Sequence, residues 1–478
     1  MNDLKKKIVS GVFWQGLERI GQQSISFLVS IILARLLLPE QFGVIAIMLV
    51  FTAICGVFVD SGFGDALVQR RDLRDDDCNS VFFINLTIAT AFYWLIFIVA
   101  PWAEHFYNVE SLALYLRVLA LKLPINAVAR VHLSLLKRRM LFKQSFRIHL
   151  AATALAGVTG IVLARRGFGI WALIAQQLML AGVSSALLWL WVRWIPRLRF
   201  EWQRTWELFS FGWKMLASVL LDTGFHEAYQ LVVGKLFSPA MLSYYNRGQS
   251  IPALGMGVVN SSVAQVFLPA FSSIQDDRER IREIARRALR GIMFFVIPLL
   301  AMMMIFARPF VSLVLTEKWL PCVLYIQLGA LIYFFWPFHT LNLQIITACG
   351  RSDLFLLLEI IKKSQFVLIV LCTYRYGLPV MVWGAVFCGL LAAIENSLPN
   401  WWLIKYSPWQ QFWDIAPYLA SALVATVPSW LICKYVSQDL LRMLVGGMTF
   451  SAFYLFMAWL TECIPSGITE LKKRFLRA

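Results

Sequence analysis

The chain has 478 residues, of which 59% are hydrophobic and 15% are charged, and its mean hydropathy is +0.68. So few charges cannot cover the surface of a water-soluble protein of this size, which excludes a soluble enzyme and indicates a membrane protein. The net charge of +17 does not indicate a nucleic-acid partner, because membrane proteins collect lysine and arginine in their cytoplasmic loops.

Apolar segments of about twenty residues, the length that crosses a bilayer as a helix, recur along the chain between short polar breaks. We predict about fourteen transmembrane helices and no soluble domain. The predicted spans are residues 12–37, 42–66, 80–101, 113–135, 147–165, 170–192, 209–234, 240–268, 288–315, 323–348, 355–375, 380–404, 414–435 and 440–461. The segment 272–290 between two of them is predicted to be a solvated linker with a basic face at the membrane surface. The alternative is an amphipathic cytoplasmic helix.

Basic residues cluster in alternate loops, which predicts that both termini lie in the cytoplasm. Loop 102–112 contains no lysine or arginine, whereas the predicted cytoplasmic segments carry several each. These basic segments contain Arg70, Arg71 and Arg74; Lys137 to Arg147; Arg193 to Arg204; Arg278 to Arg290; Lys362 and Lys363; and Lys472 to Arg477.

An internal repeat is visible at an offset of 200 residues. Residues 10–14 read SGVFW and residues 210–214 read SFGWK, while 34–39 and 234–239 share a small residue, a basic residue, a leucine and a proline in register. Six spans separate the copies, so the repeats are parallel. We therefore predict an all-α membrane protein with two parallel six-helix lobes, the N-lobe at 1–200 and the C-lobe at 201–405, followed by an appended helix pair and basic tail at 406–478.

Several predicted spans carry charged or polar side chains, which are costly in hydrocarbon and usually face a cavity. Lysines and arginines on spans 1, 4, 7 and 8 predict a cationic cavity that suits an anionic head group. Its predicted cations are Arg19, Arg247, Lys214, Lys122 and Arg130, and its predicted polar lining is Gln15, Gln22 and Asn246. The alternative is that these residues pair with one another inside the helix bundle, as Glu18 with Arg19 or Lys214 with Asp222.

Proton or sodium coupling is the other role open to titratable residues in the spans. The candidates are Asp222, His226, Glu227, Glu18, Glu395 and His339. We predict no metal site and no cofactor, because the eight cysteines are scattered without a CxxC pair. The motif GxxxxGK[ST] is absent from the sequence, so we predict no ATPase activity of its own.

Four short motifs resemble those of bacterial polysaccharide exporters, of the O-antigen and colanic-acid flippase type in the multidrug/oligosaccharidyl-lipid/polysaccharide (MOP) superfamily. They are LARLLLPEQFG at 33–43, YYNRGQSIP at 244–252, LPAFSSIQDD at 268–277 and EKW at 317–319. The resemblance implies a V of two lobes in the bacterial inner membrane, alternating access, and cavity-lining roles for Arg19 and Arg247. The appended pair resembles that of the lipid-II flippase branch, where it lines a groove for the lipid tail.

The predicted function is translocation of a polyprenyl-diphosphate-linked oligosaccharide from the cytoplasmic to the outer leaflet. The predicted partners are this lipid-linked saccharide, the membrane, and the polymerase and glycosyltransferases of the same pathway, with no nucleic acid. One alternative is a drug or cation antiporter of the same superfamily, which needs an acidic cavity. A membrane glycosyltransferase or polymerase is less favoured, because such enzymes usually need a larger extracytoplasmic loop than any found here.

Overall fold

The computed structural model describes residues 2–60, 63–70, 72–461 and 463. These residues form seventeen α-helices and two one-turn 3₁₀ helices, at Glu317–Trp319 and Tyr374–Tyr376, and the described part contains no β-strand. The α-helices are α1 Asn2–Leu36, α2 Pro39–Asp60, α3 Phe63–Gln69, α4 Asp75–Tyr107, α5 Leu112–Ala120, α6 Lys122–Arg138, α7 Phe142–Arg165, α8 Ile170–Val192, α9 Trp202–Leu236, α10 Pro239–Ser272, α11 Arg278–Val314, α12 Cys322–Phe334, α13 Trp336–Ala348, α14 Ser352–Thr373, α15 Leu378–Ile404, α16 Pro408–Tyr435 and α17 Asp439–Leu460.

Eleven segments of the described chain are long and apolar enough to cross a membrane, which makes this a multi-pass membrane protein. The remaining predicted spans correspond to α1, α9 and α14, which are helical over 35, 35 and 22 residues. Helix α1 carries Glu18 and Arg19, α9 carries Lys214, Asp222 and Glu227, and α14 carries Glu359, Lys362 and Lys363. Such charges lower the hydropathy of a helix. Their crossing of the membrane therefore stays a prediction.

Two predicted spans are each formed by two helices rather than one. Span 113–135 breaks at Leu121, between α5 and α6, and span 323–348 breaks at Phe335, between α12 and α13. Pro124 and Pro337 lie in the first turns of α6 and α13. A proline lacks the N–H that a continuous helix requires, but it is tolerated in a first turn, so the chain restarts a helix there.

Most of segment 272–290 is the first part of α11, so the favoured prediction of a solvated linker is wrong and the segment is helical, as in the alternative. The Asp277 side chain accepts a hydrogen bond from the backbone N–H of Arg280 at 3.0 Å and caps the helix. Ile281, Ala285 and Leu289 are fully buried. Their spacing of four residues forms an apolar stripe that packs into the core, and the arginines occupy the other faces.

The chain divides into two compact units, Met1–Ser243 and Tyr244–Ala478. In the first unit α1 packs against α7, α7 against α8, α6 against α4 and α8, and α9 against α2, α3 and α4. In the second unit α11 packs against α12, α13, α16 and α17, and α15 packs against α13 and α14. The first unit thus includes α9, whereas the sequence repeat predicts that α9 begins the C-lobe. The predicted lobe boundaries at residues 200 and 405 stay predictions.

The helix bounds agree with the predicted repeat. Helices α1 and α9 begin and end at the same offset of 200 residues, and each is followed by a helix that begins at a proline, Pro39 or Pro239. Large apolar side chains such as Ile98, Leu190 and Leu423 are exposed on the surface. In a chain with this many apolar helices, such a surface is solvated by lipid.

Candidate functional site

A polar cavity of about 230 Å³ lies inside the first unit, lined by residues of α2, α6, α7 and α8. Two of the predicted cationic residues, Lys122 and Arg130, line it together with Asn126. All three are on α6 at intervals of four residues, so they share one face of that helix. Ala127 and Val131 of the same helix are buried and do not line the cavity, so the polar face is the one turned toward it.

His149 of α7 also lines this cavity. The sequence prediction did not include it, although it lies in the predicted span 147–165 and satisfies the same criterion of a titratable side chain in an apolar segment. With His149 the cavity gathers four nitrogen-bearing side chains that can donate to an anion, the others being Lys122, Asn126 and Arg130. Among the lining residues that the structure describes, none is acidic.

Three hydroxyl groups complete the polar lining, and each donates its hydrogen to a backbone carbonyl. Ser185 Oγ donates to the carbonyl of Ile125 at 2.8 Å, which ties α8 to α6. Thr52 and Ser184 donate to carbonyls of their own helices at 3.0 Å. Lys122, Arg130, His149 and Asn126 add nitrogen groups to this lining, and lysine and arginine side chains suit an anion.

Glu18 of α1 lies beside the cavity and contacts α7. Its Oε1 accepts a hydrogen bond from Ser145 Oγ at 3.2 Å and lies 4.0 Å from His149 Nε2. The described partners of Glu18 are thus on α7 and do not include Arg19. Arg19 is exposed, as is Gln15, and Gln22 is half-buried.

Arg247 and Asn246 lie near the start of α10, in the second unit. The guanidinium carbon of Arg247 is 5.2 Å from the ring centroid of Trp319, a fully buried side chain, which is the geometry of a cation–π contact. The next residue, Gly248, has no room for a side chain, because a Cβ built there would lie 2.3 Å from Tyr325 Cβ. Arg19 and Arg247 belong to different units, so their shared chamber stays a prediction.

Of the predicted coupling residues, Glu18 lies beside the cationic cavity, whereas Glu227, His339 and Glu395 are not among its lining residues. Glu227 accepts from Gln230 Nε2 at 3.1 Å on the same helix, and His339 Nδ1 is 3.1 Å from Asn396 Nδ2 in the second unit. Glu395, also in the second unit, accepts from Gln365. The side chains of Lys214, Asp222 and His226 lie outside the described residues, so the proposed pairing of Lys214 with Asp222 stays a prediction.

A second cavity, of about 270 Å³, lies in the second unit and is mostly apolar. It is bordered by α12, α13, α15 and α16, the last being the first helix of the appended pair. Its apolar residues include Phe334, Phe338, Leu390, Ile394, Phe412 and Ile415, and its polar residues are Ser397 and Gln411.

Residues 32–324 match the model of a family described as "Polysaccharide biosynthesis protein". The succinoglycan biosynthesis transport protein ExoT of Rhizobium meliloti is 27% identical over 314 residues, 66% of this chain and 64% of that protein, a little under two thirds of its length. The teichuronic acid biosynthesis protein TuaB of Bacillus subtilis is 24% identical over 74% of each chain. The lipopolysaccharide biosynthesis protein WzxC of Escherichia coli is 22% identical over 68% of this chain and 66% of that protein.

Two solved structures have the same fold. The lipid II flippase MurJ, in an inward closed conformation, superposes with a TM-score of 0.72 at 14% identity and covers 95% of this chain and 98% of that one. An inward-facing MATE family transporter of the MOP superfamily superposes with a TM-score of 0.61 at 17% identity, over 80% of this chain and 94% of that one. The predicted all-α membrane fold is confirmed.

Proposed function

We propose that this chain, which belongs to the polysaccharide biosynthesis protein family, is a flippase for a saccharide carried on a polyprenyl diphosphate. The family match confirms the relation to polysaccharide biosynthesis that the four motifs predicted. Membership of the MOP superfamily of exporters is part of the proposal. The named relatives include transport proteins and flippases, which agrees with a transporter and not an enzyme. The cavity that brings Lys122, Arg130 and His149 together carries the proposal.

The chemistry of this cavity suits a diphosphate. A guanidinium such as that of Arg130 bonds two phosphate oxygens at once, and the ammonium of Lys122 adds a compact charge with three donors. Drug-sized ligands need cavities of about 300–1,000 Å³. A space of about 230 Å³ therefore admits the phosphate-bearing part of the cargo, while the saccharide extends outside it.

The apolar cavity of the second unit supports a lipid-linked cargo. Its walls of phenylalanine, leucine and isoleucine offer an isoprenoid chain contacts equivalent to those in the bilayer. Because α16 forms one wall, the appended helix pair takes part in this cavity. We propose that the ligand suited to this cavity is an isoprenoid chain.

Translocation then requires that the head group be held weakly enough to leave. The cations neutralise the diphosphate on the cytoplasmic side of the bacterial inner membrane, and alternating access releases it on the other side. Removal of the product by a polymerase of the same pathway would keep the net direction outward. The cation-antiporter alternative is disfavoured, because the cavity gathers cations and its described lining includes no carboxylate.

Binding of defined lipids to the purified protein tests this function. We expect polyprenyl diphosphate to bind much more tightly than the uncharged polyprenol. The double substitution Lys122→Gln with Arg130→Gln should weaken diphosphate binding at least about tenfold, since each charged hydrogen bond contributes about 1.5–3 kcal/mol and 1.4 kcal/mol is about tenfold.

The matched control removes two arginines from the exposed end of α7, Arg165→Gln with Arg166→Gln, and should leave binding within about twofold. Equal binding of diphosphate and polyprenol, or equal losses in the two double variants, would contradict the proposal. Loading the same proteins into vesicles with a fluorescent polyprenyl-diphosphate sugar then measures translocation directly.

A further inference from the structure

A third cavity, of about 400 Å³, lies in the first unit and shares no lining residue with the other two. It lies where α4 and α9 end, because Phe106 and Tyr107 belong to the last turn of α4 and Lys235 belongs to the last turn of α9. The rest of its lining is Phe51 of α2, Trp102 of α4, and Leu231, Val232 and Leu236 of α9. The predicted topology places these helix ends at the extracytoplasmic surface, the level at which lipid head groups meet hydrocarbon.

The walls of this cavity are apolar and largely aromatic. The rings of Trp102 and Phe106 stack, with centroids 5.0 Å apart and an angle of 16° between their planes. The ring of Tyr107 meets that of Phe51 edge-on, with centroids 6.4 Å apart. Trp102 is 59% exposed and Leu236 is 45% exposed, so the cavity is open at the protein surface. In a bilayer an apolar opening of this kind is filled by lipid chains, which solvate the protein there.

A positive charge lies at this apolar cavity. The Lys235 ammonium is 4.2 Å from the centroid of the Phe106 ring and donates to the backbone carbonyl of Phe106 in the last turn of α4. An ammonium carries three N–H groups, and this carbonyl uses one of them, so the ammonium can also bind an anionic oxygen. The acid at the same end of α4, Glu104, does not line the cavity, and its carboxylate accepts from the backbone N–H of Ala113 at 2.8 Å. The charge of the described lining is therefore positive.

We propose that this cavity binds an acidic phospholipid of the bilayer, with its phosphate at Lys235 and an acyl chain against Trp102 and Phe106. A head group with a net negative charge complements the ammonium, whereas phosphatidylethanolamine would bring a second ammonium beside Lys235. A saccharide needs more hydrogen-bonding groups than the Lys235 ammonium and the Tyr107 hydroxyl, the polar groups of the described lining. The bound lipid bridges α9 to α4 and stabilises their packing. The inference goes beyond the proposed function, because this lipid belongs to the bilayer and is not the cargo.

Photo-crosslinking of the full chain in phosphatidylcholine nanodiscs tests this site. The probes are phosphatidylglycerol and phosphatidylethanolamine with the same photoactivatable acyl chain, and mass spectrometry identifies the labelled peptides. In the wild type we expect phosphatidylglycerol to label the peptides containing residues 102–107 and 231–236 about fivefold more than phosphatidylethanolamine does, since one lysine near a membrane surface favours an acidic lipid by about that factor. Lys235→Gln should make the labelling by the two lipids equal, and Lys235→Arg should keep the preference.

The matched control is Lys434→Gln, which removes another exposed lysine from the last turn of a helix, α16, and should keep the wild-type preference. Equal labelling by the two lipids in the wild type, a preference that survives in Lys235→Gln, or an equal loss in Lys434→Gln would overturn the inference. Displacement of the phosphatidylglycerol probe by an equal amount of polyprenyl diphosphate would also overturn it, because the cavity would then belong to the cargo. These measurements do not require translocation, so a failure of the proposed function would leave their result standing.

Discussion

Arg286 of α11 and Asp414 of α16 form a bidentate ion pair, with Nε to Oδ2 at 2.8 Å and Nη2 to Oδ1 at 2.7 Å. Arg290 Nη2 donates to Oδ1 at 2.5 Å, and the hydroxyl of Tyr406 donates to Oδ2 at 2.8 Å. The Asp414 side chain is 3% exposed, so four donated hydrogen bonds compensate its burial. This cluster fastens the appended helix pair to α11, which makes the pair an integral part of the second unit.

Removing the charge of Asp414 should destabilise the second unit. We expect Asp414→Asn to lower the free energy of unfolding by about 1–3 kcal/mol, because it removes the charge shared by Arg286 and Arg290 and leaves one acceptor oxygen where there were two. Thermal unfolding in detergent measures the effect. The control Asp353→Asn breaks a pair between exposed side chains, since Arg351 is 47% and Asp353 is 63% exposed, and it should leave the unfolding temperature nearly unchanged. Equal losses in the two variants would contradict this account of the cluster.

An amide network joins α13, α15 and α16 inside the second unit. Asn342 Nδ2 donates to Gln411 Oε1 at 2.9 Å, Gln411 Nε2 donates back to Asn342 Oδ1 at 3.0 Å, and Asn400 Nδ2 donates to the same oxygen at 2.7 Å. All three residues are buried. Asn342→Leu should therefore cost about 1–3 kcal/mol of stability through the partners left unsatisfied.

A matched control on the same helix is Thr347→Val. The hydroxyl of Thr347 donates only to the carbonyl of Leu343, one turn before it. Its loss should change the unfolding temperature little. If Asn342→Leu were as stable as Thr347→Val, the network would not contribute to holding α13 against α16.

Gly43 of α2 should tolerate no larger residue. A Cβ built there would lie 1.7 Å from the carbonyl oxygen of Pro239, the first residue of α10. Because the obstacle is backbone, Gly43→Ala must separate the two helices, and we expect a loss of about 1–3 kcal/mol in detergent unfolding. Gly56→Ala, in the same helix with open space around it, should be neutral or stabilise by about 0.4–1 kcal/mol. Comparable stability of the two variants would show that the close approach of Gly43 to Pro239 is not required for stability.

Arg247 should contribute to transport through its positive charge. The guanidinium of Arg247 lies against the ring of Trp319. Arg247→Lys would keep the positive charge and a weaker contact with the ring. We expect Arg247→Gln to lose at least about tenfold in translocation, if one charged hydrogen bond to the cargo is removed, and Arg247→Lys to lose less. Arg308→Gln, an exposed arginine on α11, is the control. Full activity of Arg247→Gln would exclude this residue from cargo binding.

The sequence by itself determined the class of fold and most of the helices. Long apolar runs indicate that the surrounding solvent is lipid. In lipid the backbone can form its hydrogen bonds only within the protein, so each such run is expected to be a helix. The sequence repeat between residues 34–39 and 234–239 also predicts that α1 and α9 have bounds 200 residues apart, as they do. The spacing of Lys122, Asn126 and Arg130 also predicted one polar face, since helical geometry alone places them together.

Only the tertiary structure decided which polar residues meet across helices. The sequence contains nothing that pairs Asp414 with Arg286, 128 positions away, or that adds His149 to the face formed by Lys122 and Arg130. The sequence also predicted the same role, ion coupling, for Glu395 and Glu18. In the structure Glu395 contacts the uncharged amide of Gln365, whereas Glu18 lies beside His149. Periodicity specifies the direction of a side chain around its own helix, whereas the partner it meets depends on how whole helices pack, which is set by many distant contacts at once.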